Sequence, residues 1–235
     1  MKKLALLIVI LYVFTPNPTH AASELEIWCL ADGETWDAVT STCFVNGGAV
    51  LSPNSGALTV LASETIDINK GIIFNYDTLN NYGTINIGNK GTIENFSGGD
   101  SIINNYGIIN NDKGTTGGTI RNGTGSIINN YGIINNDDHD YTGIEAYGTI
   151  INYGDGTIIN NYGTIINSGD IINNGATINI YGTIINNIDG TIINENYDYN
   201  IGTINSYCEA IYVGELPEGN DIVYYLCVYL PIIKR

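Results

Sequence analysis

Residues 101–112 read SIINNYGIINND, and residues 126–137 read SIINNYGIINND again. Identity over a whole dodecamer marks an internal repeat, and the same unit recurs on both sides of it: a small or polar residue, then Ile, then a variable position, then most often Asn. Units of this kind start at Thr84, Thr92, Ser101, Ile108, Thr119, Ser126, Ile133, Thr149, Thr157, Thr164, Asp170, Thr177, Thr183, Thr191 and Thr203. Most steps are roughly six to eight residues, which leaves room for one short strand and one turn; helical repeats need a far longer period. β-branched Ile and Thr favour the strand, and Asn and Gly favour the turn.

The second position is Ile throughout the series: Ile85, Ile93, Ile102, Ile109, Ile120, Ile127, Ile134, Ile150, Ile158, Ile165, Ile171, Ile178, Ile184, Ile192 and Ile204. The third accepts Glu94, Arg121 and Asn86 as readily as Ile, so it must meet water. Strand alternation then places the second position in the core and the first and third outside. The fourth position turns inward again and is mostly Asn: Asn95, Asn104, Asn122, Asn129, Asn152, Asn160, Asn167, Asn173, Asn186 and Asn194. A buried Asn is costly unless bonded, so coils stacked in register are expected to join these amides in ladders. The same phase leaves Ile103, Ile128, Ile151, Ile159, Ile166, Ile172, Ile185 and Ile193 exposed in rows.

Grouping the units by threes gives a period that Tyr82, Tyr106, Tyr131, Tyr162 and Tyr181 share, each followed by Gly. The expectation is an all-β, three-sided parallel β-helix with three short strands per coil, about six coils, and a tyrosine at one corner of each turn. A positive φ at the glycine is the expected reason for the Tyr-Gly pair. The phrase Asn161-Tyr162-Gly163-Thr164-Ile165 resembles the repeats of secreted haemagglutinin-type adhesins, and it is similar to Asn/Gly-rich repeat proteins exported to the surfaces of archaea and bacteria. The resemblance covers about residues 58–206 and implies a right-handed β-solenoid with a surface or adhesive role. The stretch from Cys29 through Trp36 to Cys43 also looks like small cysteine-and-aromatic modules of secreted glycan-binding proteins; the alternative for it is a disulfide-pinned cap.

Lys2 and Lys3, an apolar run from Leu4 to Phe14, and Thr19-His20-Ala21 have the layout of an export signal over residues 1–21. That leaves a cap over 22–57, repeats over 58–206 and a second cap over 207–235. Export exposes the cysteines to an oxidising compartment. Their arrangement in two pairs makes local bridges, Cys29 with Cys43 and Cys208 with Cys227, the simplest pairing. The apolar stretch Ile222–Leu230 is too short to span a bilayer and is expected to cover the last open coil.

Of 235 residues, 8 are Lys or Arg and 24 Asp or Glu. Without the signal the formal charge is −18, which argues against nucleic acid and anionic lipid as partners. His139 is the one imidazole outside the signal, leaving little material for histidine chemistry.

Two long departures from the unit, at 111–118 and 136–148, follow the first strand of adjacent coils. They bring Asp112 toward Asp137, Asp138 and Asp140, an oxygen-rich set suited to calcium, with an unmetallated acidic loop as the alternative. No other cofactor is expected. Functionally, the pattern suggests a secreted or cell-surface structural or adhesive solenoid without catalysis, meeting a glycan or envelope surface or a second copy through Thr/Ile faces. A carbohydrate-active enzyme or glycan-binding module is the alternative, and an ice-binding or self-assembling flat face the third.

Overall fold

In a computed structural model, the described residues are 21–53, 56–96, 101–111, 117–136, 148–154, 157–186, 191–197, 200–201, 203–206, 211–214, 218–219 and 222–224, with side chains described through Asn194. The chain winds as a parallel β-solenoid with three sheets. Sheet I stacks Thr42–Val45, Thr65–Asn69, Thr84–Gly88, Ile108–Asn111, Ile133–Asn136, Thr164–Asn167, Thr183–Asn186 and Ile211–Gly214. Sheet II begins with Gly48–Leu51 and Ile72–Asn75 and runs through Thr92–Asn95, Thr119–Asn122, Thr149–Tyr153 and Asp170–Asn174 to Thr191–Tyr197. Sheet III stacks Leu58–Val60, Thr78–Asn81, Ile102–Asn105, Ile127–Asn130, Ile158–Asn161, Thr177–Ile180, Thr203–Ser206 and Ile222–Tyr224.

The six expected coils run from Thr65 to Ser206, and parallel pairing continues beyond them at both ends. Before them, Thr42–Val45 pairs with Thr65–Ile68, Gly48–Leu51 with Ile72–Asn75, and Leu58–Val60 with Leu79–Asn81. After them, Thr183–Asn186 pairs with Ile211–Gly214 and Ile204–Ser206 with Ile222–Tyr224. The N-terminal end is closed by chemistry suited to open backbone. Helix Glu24–Ala31 starts at Ser23, whose Oγ accepts from Glu26 N–H, and it buries Leu25 and Cys29 against the first coil. Cys29 is bonded to Cys43, tying the helix to sheet I. Thr35–Asp37 pairs antiparallel along the free edge of Thr42–Phe44. The Asp32 carboxylate accepts from Val50 N–H, Glu34 accepts from the N–H groups of Asn46 and Gly47, and Trp28 Nε1 donates to Val50 O. Groups that would otherwise template another strand are thereby occupied. Cys208 and Cys227 lie outside the described residues, as do residues 1–20 of the proposed signal.

The core is a column of isoleucines. In sheets I and II the inward residues are those expected, for example Ile85, Ile109, Ile134, Ile165 and Ile184 on sheet I and Ile93, Ile120, Ile150, Ile171 and Ile192 on sheet II. Sheet III differs in three coils. There Ile103, Ile128 and Ile159 are buried while Ile102, Ile127 and Ile158 face outward. The inward amides are correspondingly Asn105, Asn130 and Asn161, and Asn104, Asn129 and Asn160 lie on the outer face. The unit in these coils begins one residue later than the repeat spacing suggested, at Ile102, Ile127 and Ile158. The residues before them, Ser101, Ser126 and Thr157, turn inward at the corner, where their hydroxyls donate to carbonyls of the preceding turns, Phe96 O for both serines and Gly123 O for Thr157.

Each corner carries a ladder of buried amides. On sheet II, Asn75, Asn95, Asn122, Asn152, Asn173 and Asn194 donate in sequence, Nδ2 to Oδ1, at 2.7–2.9 Å. Asn81, Asn105, Asn130 and Asn161 do the same on sheet III, and Asn111, Asn136, Asn167 and Asn186 on sheet I. The second amide hydrogen reaches the strand that opens the next side one coil further on: Asn81 donates to Ile108 O, Asn105 to Ile133 O and Asn130 to Thr164 O. The amide-to-amide bonds of the interior ladders therefore all run toward the C-terminal coils, and some of the same amides also reach a carbonyl of their own coil, as Asn95 does at Ser101 O and Asn122 at Ser126 O. On sheets III and I the first member of the ladder lacks a donor beneath it, so the Oδ1 atoms of Asn81 and Asn111 are buried without a partner, whereas on sheet II Asn75 Oδ1 accepts from Asp77 N–H. Beneath Asn81 and Asn111 in register stand Val60 and Ile87, which have no hydrogen to give.

Candidate interaction surface

At the corner between sheets III and I, the five tyrosines of the repeat form a column on the outside. Successive centroids of Tyr82, Tyr106, Tyr131, Tyr162 and Tyr181 are 4.7, 4.9, 5.0 and 4.6 Å apart, with rings within 5–6° of parallel. The rings of Tyr82 to Tyr162 stay 45–49 % exposed, so the column presents edges and hydroxyls to water while the faces cover one another. Its foundation is backbone. Tyr106 N–H and Gly107 N–H both donate to Asn81 O, and the pattern repeats at Tyr131 and Gly132 on Asn105 O. A Cβ on Gly107 would stand 2.1 Å from Gly83 O, and Gly132, Gly163 and Gly182 meet the glycine carbonyl beneath at the same distance. Close approach between coils demands these glycines. Positive φ does not, since that conformation occurs at other turns, such as Gly125, Gly154 and Gly175.

Desolvation raises the Tyr106 phenol above its ordinary value, and Tyr82 and Tyr131 on either side raise it further. The column is flanked by two uncharged rows. On sheet III the outward amides Asn80, Asn104, Asn129, Asn160 and Asn179 form a second ladder at 2.9 Å whose N–H groups point toward the N-terminal coils, opposite to the buried one. On sheet I, Ile108 and Ile133 are exposed beside Thr84, Thr164 and Thr183. Of the isoleucines expected outside, Ile151, Ile166, Ile172, Ile185 and Ile193 do face outward, half-buried. Ile103, Ile128 and Ile159 do not; they belong to the core.

Sheet II carries the other distinctive surface. Phe74, Glu94 and Arg121 are successive members of one outward column. Phe96 packs edge-on to Phe74 with centroids 6.4 Å apart and lies 4.7 Å from the Tyr76 ring. The Arg121 guanidinium sits 5.3 Å over the Tyr153 ring, and Tyr153 O–H donates to Glu94 Oε1 at 3.4 Å. Partial burial, then the Glu94 charge, holds the Tyr153 phenol above its ordinary value, with Arg121 opposing. The signal for this patch was hidden: from one coil to the next its members lie 20 to 32 residues apart, in coils of unequal length, and only the strand register aligns them.

Asp112, Asp137, Asp138 and Asp140, with His139, lie outside the described residues. Among the described residues, no group of three His, Cys, Asp or Glu side chains is placed to hold a metal ion. The interior space of the coils from Ile93 to Ile192 is lined by isoleucine alone, including Ile120, Ile150 and Ile171. Also among the described residues, no helix is long and apolar enough to cross a membrane. No protein-family model, curated protein or solved structure matches the chain.

Proposed function

We propose that this chain is exported and works outside the cell or on its surface as a structural and adhesive β-solenoid, without catalysis. The observation that carries the reading is the outer surface itself: uncharged columns of Tyr, Asn, Ile and Thr repeated at coil spacing over most of the solenoid's height. Ordered rows of half-buried apolar groups are a surface for contact. The Cys29–Cys43 bridge fits an oxidising compartment.

A glycan is the contact partner we favour, and the patch on sheet II is the reason. Phe74, Phe96, Tyr76 and Tyr153 supply ring surface, and Arg121 and Glu94 supply directional hydrogen-bonding groups beside it. An apolar body with a few placed polar groups is what a sugar ring requires. The test is a glycan array probed with the chain from residue 22 onward, alongside an Arg121→Ala, Phe96→Ala variant. Binding without cleavage that the variant loses supports the reading. Release of shortened products would replace it with a carbohydrate-active enzyme, and silence across the array would remove the glycan and leave a scaffold.

A further inference from the structure

The tyrosine column has geometry that neither a scaffold nor the glycan patch uses. Stacked phenols with covered faces are poor platforms for a sugar, because sugar stacking needs a free ring face. They are well placed to react with each other. Each ring lies 4.6–5.0 Å from the next and within 5–6° of parallel, so successive phenols are held side by side as near neighbours along the column. The rings of Tyr82, Tyr106, Tyr131 and Tyr162 are close to half exposed, so an oxidant in solution reaches the hydroxyls and the ring edges have room to swing. Beneath them the glycine corners fix the register. The composition adds a second, independent observation. The chain holds 17 tyrosines but a single methionine, the initiator, and two tryptophans. With two histidines besides, one of them in the proposed signal, tyrosine dominates its oxidisable side chains.

We propose that the column is an oxidative cross-linking site, at which hydrogen peroxide, used by a haem peroxidase, couples neighbouring tyrosines of one chain into dityrosine. Each of two phenols gives up one electron and one proton to form a phenoxyl radical. The two radicals join through a new carbon–carbon bond between ring positions next to the oxygens, and the hydrogens on those carbons move to the oxygens, restoring both phenols. Two tyrosines thus lose two protons and two electrons in all, and one peroxide accepts them to become two waters. The bond staples one coil to the next at a corner otherwise held by ring stacking, backbone hydrogen bonds and the amide ladder, closing loops of 24, 25, 31 or 19 residues. A covalent link of that kind limits the freedom of the unfolded chain, as a disulfide does.

The proposal needs an extracellular oxidant but no glycan, so silence on a glycan array leaves it standing, and failure of coupling leaves the adhesive reading standing. The test treats the folded chain from residue 22 onward with peroxide and a peroxidase, then follows dityrosine fluorescence and maps the links by mass. The expected links join Tyr82 to Tyr106, Tyr106 to Tyr131, Tyr131 to Tyr162 or Tyr162 to Tyr181, within monomers. The Tyr106→Phe, Tyr162→Phe variant keeps an unbroken aromatic stack but leaves no two phenols adjacent, so those links are lost while circular dichroism is unchanged. Tyr76→Phe leaves them intact. Dityrosine found only between chains, links that prefer tyrosines off the column, or equal yield from urea-unfolded chain would each overturn the proposal.

Discussion

Ile127 and Ile128 are adjacent, chemically identical and placed on opposite sides of the sheet, which makes them the sharpest probe of how the coils are built. Ile128 is 2 % exposed, stacked in register between Ile103 and Ile159, while Ile127 faces outward between Ile102 and Ile158. Truncating Ile128 to Ala removes buried methyl and methylene groups from a column that cannot close over the gap without shifting three rungs, a loss of about 2–5 kcal/mol. The same truncation at Ile127 removes a side chain already partly in water and costs about 1 kcal/mol or less. Aspartate widens the gap, because a carboxylate at 128 has only isoleucine around it, whereas at 127 it meets solvent. Urea unfolding followed by strand circular dichroism measures the difference. Stacked repeats often lose rungs locally, so midpoints and slopes are compared together. Equal damage at the two positions, or greater damage at Ile127, would refute the burial phase.

The amide ladder predicts a similar contrast one step along the strand. Asn130→Ala leaves Asn161 Oδ1 without its amide donor and Thr164 O without its side-chain donor, about 1–3 kcal/mol for each group left unsatisfied, while Asn129→Ala on the outer ladder changes the melt by less than about 1 kcal/mol. Asn130→Asp is expected to be at least as damaging, because a carboxylate cannot donate upward; a melt equal to the parent's would contradict the ladder's direction. In alkali, the Tyr106 phenol ionises first in the unfolded chain, since in the column it is held above the ordinary phenol value. The contribution of the neutral Tyr106 phenol is therefore complete below about pH 10 and is lost as pH rises through its raised value. Thermal melts from pH 8 to 11 should show the Tyr106→Phe protein losing less stability than the parent; parallel losses would disprove the coupling. At the N-terminal end, Asp32→Ala with Glu34→Ala frees the N–H groups of Val50, Asn46 and Gly47, and light scattering should report end-to-end association that the parent lacks. A double variant that stays monomeric would mean that the helix and the antiparallel strand close that end unaided.

How far the architecture could be read from the residues depended on how regular they were. The triplet of strands, the six coils from Thr65 to Ser206, the tyrosine corner and the Cys29–Cys43 bridge follow from spacing and strand alternation. The phase of sheet III is legible in the same way. Ile102–Asn105 and Ile108–Asn111 are the same tetrapeptide, Ile-Ile-Asn-Asn, so one rule must bury the same members of both; counting Ser101 as the first position broke that rule and exchanged Ile102 for Ile103. Other features had no such signal. The first coil uses Leu51, Val60 and Leu61 where later coils use Asn75, Asn81 and Tyr82, so its alternation lacks the amide and tyrosine marks of the repeat. The patch around Arg121 depends on register across coils of unequal length. The reason for the glycines after tyrosine was conformational freedom in prospect and steric clearance in fact, a distinction that needs the neighbouring coil's position.

Distances along the outer column of sheet III test the stacking itself most directly. Thr78, Ile102, Ile127, Ile158 and Thr177 follow one another in register, so Ile158 lies three coils from Thr78 and Thr177 four. Spin labels carried on unnatural amino acids, which leave the native cysteines alone, can be placed at Thr78 with Ile158 and at Thr78 with Thr177. At about 4.8 Å per coil, pulsed dipolar spectroscopy should give backbone-referenced separations of roughly 14 and 19 Å, with the second pair longer by one coil spacing. A first pair as far apart as the second, or distributions too broad to differ by one spacing, would contradict the solenoid.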